Sequence, residues 1–291
     1  MSKKIIVTGS KGFIGKRLVS ALELVGHEVI GIDLPEFDLP SLSPLNDHVL
    51  KVFKGVDVIY HLATMNLERC KESSFSCIYN NVIGMSSLME IAKAYGIKRV
   101  IFSSASSVYG QPLEVLVTEE HLTDPLTIYG VTKLSSEKLI KVFGMQNKIS
   151  YGIFRFTNVY GPGQVNGIIP SVIGKLLKDE IIEVTGTGNQ TRDFVYVDDV
   201  IYYLIEALEK PLYNFTCNLG SGKETSINAV VGYIGSILQK EPKIMYRDPM
   251  YFDRGAFQAD TTRLKEIFGY RRDFKTISDG LTETVADFRS K

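Results

Sequence analysis

The chain lacks an excess of charge of either sign: 33 Lys and Arg stand against 33 Asp and Glu. The summed field therefore offers no general attraction to nucleic acid or to an anionic membrane. Long apolar runs are missing too. No stretch approaches the roughly 18 apolar residues of a membrane span, and the lysine-bearing start has no apolar run fit for a signal peptide. Cysteine is scarce, with only Cys70, Cys77 and Cys217 and no C-x-x-C pair. That excludes a disulfide framework and leads us to expect buried or idle reduced thiols, as in a cytoplasmic protein. No metal site, internal repeat, low-complexity tract or long linker is expected. What is present is an ordinary globular composition, 44% hydrophobic and 23% charged over 291 residues, which excludes wholesale disorder. The length suits two domains or one large α/β unit.

The first half alternates short β-branched runs with longer amphipathic segments. Lys4 to Val7, His27 to Ile32, Asp57 to Leu62, Arg99 to Ser104 and Tyr151 to Phe156 read as strands. Between them, Lys16 to Leu24, Val82 to Tyr95 and Pro125 to Phe143 read as helices. Strand and helix in repetition predict a doubly wound parallel sheet of the Rossmann type, covered on both faces. From Asn158 onward glycine punctuates the chain and strands are expected to be sparser. We therefore expect a coenzyme domain over 1–157 with a returning segment near 194–219, and a smaller mixed α/β substrate region over 158–193 and 220–291.

Thr8-Gly9-Ser10-Lys11-Gly12-Phe13-Ile14-Gly15 directly follows the first strand and opens a helix. Gly9, Gly12 and Gly15 in that setting permit a tight turn and close approach of a pyrophosphate to the helix N-terminus. Asp33, 18 residues beyond Gly15, ends the second strand. A carboxylate there can accept from the adenosine ribose hydroxyls and repel a 2′-phosphate, which favours NAD. Lys11, inside the glycine turn, is the one residue that would suit NADP.

Tyr129 and Lys133 stand four residues apart, which puts them on one face of a helix. An ammonium beside a phenol favours the phenolate. The pair follows Phe102-Ser103-Ser104-Ala105-Ser106-Ser107-Val108-Tyr109-Gly110. With these motifs, His61-Leu62-Ala63, Asn80-Asn81-Val82, Arg155 to Gln164 and Gln190 to Asp199, nearly the whole chain resembles the extended short-chain dehydrogenase/reductases. Within them it resembles the NAD-dependent epimerase/dehydratase family, and UDP-glucose 4-epimerases in particular.

The resemblance implies a proton-transfer role for Tyr129, with Lys133 lowering its pKa and holding the nicotinamide ribose. It implies that Phe13 and Ile14 offer backbone amides to the pyrophosphate, that Asp38 and Leu39 line the adenine, and that Leu62 and Ala63 line the coenzyme. Asn81 matches a structural or coenzyme-side asparagine. Asn158 and Arg192 match positions that hold a substrate diphosphate, and Arg254 or Arg247 a position that meets the nucleotide, although the register there is broken. A homodimer packed through the helices near Val82–Tyr95 and Tyr129–Lys133 is implied as well.

Two departures narrow the reaction. Ala105 stands where the family carries a hydroxyl hydrogen-bonded to the reacting oxygen, so Ser104 or Ser106 is expected to substitute. Ser106 and Ser107 stand where dehydratases and decarboxylases carry acids, so β-elimination and decarboxylation lose their proton-transfer group. The expectation is NAD-dependent C4 epimerisation of a UDP-hexose through a 4-keto intermediate. A 4-keto nucleotide-sugar reductase and a non-catalytic NAD-binding regulatory protein are the alternatives.

Overall fold

Lys4–Thr8 (β1), Glu28–Ile32 (β2), Val58–His61 (β3) and Arg99–Ala105 (β4) are the strands that place the glycine turn and the serine-rich segment. They belong to a computed structural model that describes residues 2–45, 47–210, 214–249, 255–269 and 273–290. The chain divides into two compact units, one of 1–110, 122–155 and 203–217, the other of 111–121, 156–202 and 218–291. The segment that returns to the first unit thus starts at 203, later than the expected 194, and 111–121 groups with the second unit.

In the first unit a six-stranded sheet runs in the order Phe215–Leu219, Ser150–Phe156, β4, β3, β1, β2. β1 pairs in parallel with both β2 and β3, and β3 in parallel with β4. Ile5, Ile6 and Val7 are fully buried, as are Ile59 and Tyr60. Such continuous apolar runs are what a sheet covered on both faces requires. Between β1 and β3 the order of winding reverses, and ligands of such sheets bind at the carboxyl ends beside that reversal. Those ends are Thr8 and His61.

The helices of this unit are Phe13–Leu24 (α1), Asp47–Phe53 (α2), Leu67–Glu72 (α3), Ser74–Ile78 (α4), Gly84–Ala94 (α5) and Ile128–Asn147 (α6). Three boundaries differ from the sequence reading. α1 starts three residues early, because Gly12 caps it within the glycine turn. The helix expected from Val82 begins instead as a π-helical turn, Tyr79–Ile83, that leads into α5. The helix expected from Pro125 starts at Ile128, where the Thr127 side chain accepts from the Gly130 amide at 3.1 Å.

One expectation is overturned. Cys70 and Cys77 are joined by a disulfide, with Sγ–Sγ 2.05 Å, and only Cys217 is a free thiol. Asn66 caps α3 and Ser73 caps α4. The resulting break between two one-turn helices brings residues seven apart in sequence to a Cα–Cα distance of 4.9 Å.

The second unit holds short strands rather than few. Thr191–Tyr196 pairs in parallel with Asn158–Tyr160 and antiparallel with Glu224–Ser226, and Ile182–Thr185 pairs in parallel with Ile244–Arg247. Helices Ile168–Leu177, Ile227–Leu238 and Ile277–Arg289 bury Ile173, Val230, Val231, Ile234 and Leu281 against them. Asp193 is fully buried. Its carboxylate accepts from the Ser221 amide and hydroxyl, both at 2.8 Å, and from the Gly222 and Ala259 amides at 3.0 and 3.1 Å. Burial pushes that carboxyl upward and these donors oppose the shift. Among the described residues no helix is long and apolar enough to cross a membrane.

Candidate functional site

At the carboxyl ends of β1 and β3 lies a cleft with a cavity volume of about 250 Å³. Its floor is the glycine turn. Gly9 has φ +70°, and a Cβ there would stand 2.7 Å from the Ala63 amide nitrogen; one on Gly15 would stand 2.0 Å from the Gly9 carbonyl. Both positions demand glycine, so the backbone of the turn stays bare toward the cleft. α1 starts here with no side-chain cap. Its first amides, those of Phe13 and Ile14 included, have no acceptor within the helix and are free to meet an anion.

The walls of the cleft include Asp33, Asp38, Leu39, Leu62 and Ala63, all sequence-predicted, together with Phe37 and Arg69, which sequence reasoning missed. Ala63 is tied down: its amide donates to Thr8 Oγ1 at 3.1 Å, and Thr8 Oγ1 also lies 2.8 Å from His61 Nδ1. His61 is buried and its pKa is lowered to about 3, first by burial and then by the Lys133 charge, so the ring stays neutral.

Asp33 faces the cleft with both carboxylate oxygens oriented by backbone. Oδ2 accepts from the Lys11 amide and Oδ1 from the Leu34 amide, each at 2.8 Å. The Lys11 ammonium is turned to Glu36, 2.7 Å away, and to the Leu34 carbonyl. The feature that favoured NADP is therefore engaged within the protein. Asp33→Ser is expected to weaken NAD binding roughly 10- to 100-fold, the worth of a hydrogen bond to a charged group, and to narrow the gap to NADP. Titration of both coenzymes into coenzyme-stripped protein reads both effects; equal losses for NAD and NADP would remove Asp33 from coenzyme selection.

α6 brings Tyr129 and Lys133 onto one face, as the spacing requires. Lys133 is 2% exposed. Its Nζ donates to the Ser103 carbonyl at 2.6 Å and stands 5.7 Å from the centre of the Tyr129 ring. Burial lowers the Lys133 pKa to about 7 against the opposing charge of Glu137. Burial also raises the Tyr129 phenol above its ordinary value. The expected lowering of Tyr129 by Lys133 does not dominate in the protein by itself. Among the described residues nothing hydrogen-bonds the Tyr129 hydroxyl, which leaves it available to a ligand.

The serine segment divides into distinct roles. Ser104 is 2% exposed and its Oγ donates to Glu137 Oε1 at 2.5 Å, so this hydroxyl is already spent. Ser106 is partly exposed and no described residue bonds it. Ser107 Oγ is buried and has no hydrogen-bond partner among the described residues. Glu137 in turn accepts from Arg155 Nε at 3.0 Å and Nη2 at 2.8 Å, and Arg155 Nη1 donates to the Tyr109 hydroxyl at 2.9 Å. Asn81, 4% exposed, takes a scaffolding position. Its Oδ1 accepts from the Met65 amide at 2.7 Å, and its Nδ2 donates to the Met65 carbonyl at 3.1 Å and to Thr132 Oγ1 at 3.0 Å.

In the second unit, Asn158 is exposed and its Nδ2 donates to the Asp193 carbonyl at 3.1 Å. Arg192 Nη1 donates to the Thr191 carbonyl at 2.8 Å, while the Asp193 carboxylate points to Ser221, Gly222 and Ala259. Arg247 pairs with Glu183 at 2.8 Å. Arg254 lies outside the described residues.

A doubly wound sheet with a glycine turn, and an acid directly after its second strand, is the architecture of a dinucleotide-dependent enzyme. The sequence profile of the NAD dependent epimerase/dehydratase family matches residues 5–220. The uncharacterized UDP-glucose epimerase YtcB of Bacillus subtilis is 32% identical over 308 residues, covering 97% of each chain. Among solved structures, the UDP-glucuronic acid 4-epimerase from Bacillus cereus in complex with UDP-glucuronic acid and NAD superposes with a TM-score of 0.89 and 30% identity. The UDP-N-acetylglucosamine 4-epimerase from Methanobrevibacter ruminantium, in complex with UDP-N-acetylmuramic acid, gives 0.91 and 29%. Each alignment covers 99% of both chains. The chain belongs to the NAD-dependent epimerase/dehydratase family; it is an enzyme of that family, and NAD is its coenzyme.

Proposed function

We propose that the protein epimerises a UDP-hexose at C4 through a 4-keto intermediate. The observation that carries this reading is a Tyr129 hydroxyl left without a partner among the described residues, one helical turn from Lys133, with serines and no carboxyl group at 106 and 107. Epimerisation needs one group to take the C4 hydroxyl proton and give it back, and Tyr129 fills that role. NAD, when bound, would supply a reversible hydride acceptor for C4. The bare glycine turn and the first amides of α1 would hold its pyrophosphate, Asp33 its adenosine ribose, and Lys133 its nicotinamide ribose. Ser106, the uncommitted serine of the pair, takes the place of the hydroxyl missing at Ala105. Asn158 and Arg192 bind the substrate diphosphate, for which a guanidinium fork is well suited.

Exposed Ile83, Ile128, Val131 and Val142 on the π-helical turn and α6 support a homodimer packed through these helices. The three-cysteine argument for a cytoplasmic setting loses its force with the Cys70–Cys77 disulfide. Lys11, the feature that motivates the reductase alternative, pairs with Glu36 on the surface, both side chains more than half exposed.

The test is to denature the purified protein, identify the released coenzyme by mass spectrometry, and follow UDP-glucose, UDP-N-acetylglucosamine and UDP-glucuronate by NMR without added coenzyme. Retained NAD with interconversion at C4 supports the reading. Stoichiometric consumption of added NADH or NADPH by a 4-keto sugar, with no interconversion, replaces it by the reductase.

A further inference from the structure

The Cys70–Cys77 disulfide is buried, its residues 3% and 0% exposed, and it sits against the scaffold of the Tyr-Lys pair. Asn81 Nδ2 lies 3.6 Å from Cys77 Sγ and 3.9 Å from Cys70 Sγ, and Cys77 Sγ lies 3.9 Å from Thr132 Oγ1. Thr132 Oγ1 donates to the Tyr129 carbonyl at 2.8 Å. Ser136 Oγ donates to the Asn81 carbonyl at 3.0 Å. A single asparagine, backed by two sulfurs, thus joins the cleft-lining Met65 loop to the turn of α6 that carries Tyr129.

The oxidation state of those sulfurs matters to the asparagine. Bonded sulfurs carry no proton, so both Asn81 N–H groups are left for the Met65 carbonyl and Thr132 Oγ1. Reduction turns each sulfur into a donor. Cys70 Sγ already stands 3.4 Å from the Met65 carbonyl, where its new proton competes with Asn81. Reduction also drives the two sulfurs from bonding distance to van der Waals contact in a packed interior that has little room to absorb the change.

We propose that the Cys70–Cys77 disulfide is a positioning element for Tyr129, acting through Asn81 and Thr132, so that thiol–disulfide exchange tunes turnover. The proposal rests on the reading of Tyr129 as the proton-transfer residue. The exchange is balanced with a dithiol such as dithiothreitol. One of its thiolates attacks a cysteine sulfur, the Cys70–Cys77 bond breaks, and a mixed disulfide forms. The cysteine not attacked leaves at that step, and the reagent's second thiol then displaces the cysteine held in the mixed disulfide, so two electrons and two protons reach Cys70 and Cys77 while the reagent leaves as a cyclic disulfide. Because both sulfurs are buried, exchange waits on local opening of α3 and α4 and is slow.

The test uses the whole protein isolated without reductant. Alkylation after denaturation is expected to label one cysteine in untreated protein and all three after dithiothreitol. Amide exchange by mass spectrometry is expected to rise on reduction in peptides covering 65–83 and 127–136. Turnover is expected to fall roughly 10-fold at unchanged KM, the order of loss that a small misplacement of a reacting group brings. The double variant Cys70→Ser/Cys77→Ser should match the reduced protein and stop responding to dithiothreitol. Three labelled cysteines in untreated protein overturn the proposal, as does unchanged exchange at 127–136 on reduction. Exchange needs no substrate: a rise at 127–136 in a protein inactive on every UDP-sugar in both states would uphold the clamp and overturn only the proposed reaction.

Discussion

Tyr129→Phe is expected to lower turnover by about 10²- to 10⁴-fold, the usual worth of a positioned proton-transfer group, with thermal stability and NAD affinity unchanged. The separation of these effects follows from the geometry. Among the described residues no group bonds the phenol oxygen, so its removal costs the fold no hydrogen bond, and the phenylalanine ring fills the same space. The Lys133 ammonium is anchored independently on the Ser103 carbonyl at 2.6 Å. Thr132, one residue before it, is held by Asn81 and by the Tyr129 carbonyl, both untouched by the change. Steady-state rates, a melting curve and an NAD titration on the variant read the three quantities. A fall in turnover of less than tenfold would remove Tyr129 from the chemistry, and a parallel loss of NAD affinity would make its role structural.

The same geometry sets the charge states of Tyr129 and Lys133. Sequence spacing suggested that Lys133 lowers the Tyr129 pKa. In the protein, burial pushes the phenol up and the ammonium down to about 7. Both shifts favour the neutral forms, as expected when two ionisable groups lose water together.

The elements most legible in the sequence were those whose residues answer to local rules. The run of β1, the glycine turn and Asp33 at the end of β2 are set by strand periodicity and by backbone conformations that other residues do not reach. Tyr129 and Lys133 were legible because four residues on a helix fix their relation whatever surrounds them. The serine segment was not legible, because its roles depend on what faces it. Ser104 is directed to Glu137, a residue two turns beyond Tyr129 on α6 that no spacing rule singles out. The disulfide was missed because cysteine arithmetic weighs number and C-x-x-C spacing. The local signal lay in Asn66 and Ser73, two capping residues seven apart that break the segment into successive short helices. The Met65–Asn81–Thr132 bridge depends on residues 16 and 51 positions apart, a relation made only by the packed fold.

The largest stability effect is expected at the ion pair between α6 and the Ser150–Phe156 strand. Glu137 and Arg155 are 0% and 4% exposed, and the guanidinium grips the carboxylate through Nε and Nη2. Burial works against the Arg155 charge, yet Glu137 and the Tyr109 oxygen outweigh it and hold the guanidinium protonated. Removing either partner alone strands a charge away from water, and the Glu137 change also orphans the Ser104 hydroxyl. Glu137→Met and Arg155→Met are each expected to destabilise the first unit by about 3–5 kcal/mol. The double variant should lose far less than the sum, because two apolar side chains of similar length leave no buried charge to solvate. Urea unfolding of the four proteins, followed by far-UV circular dichroism and analysed as a double-mutant cycle, measures the difference. Additive losses would show that the two side chains are not energetically coupled and would sink the argument. The expected non-additivity would instead show that the pair acts as a unit joining α6 to the Ser150–Phe156 strand, with the Ser104 hydroxyl held inward on Glu137.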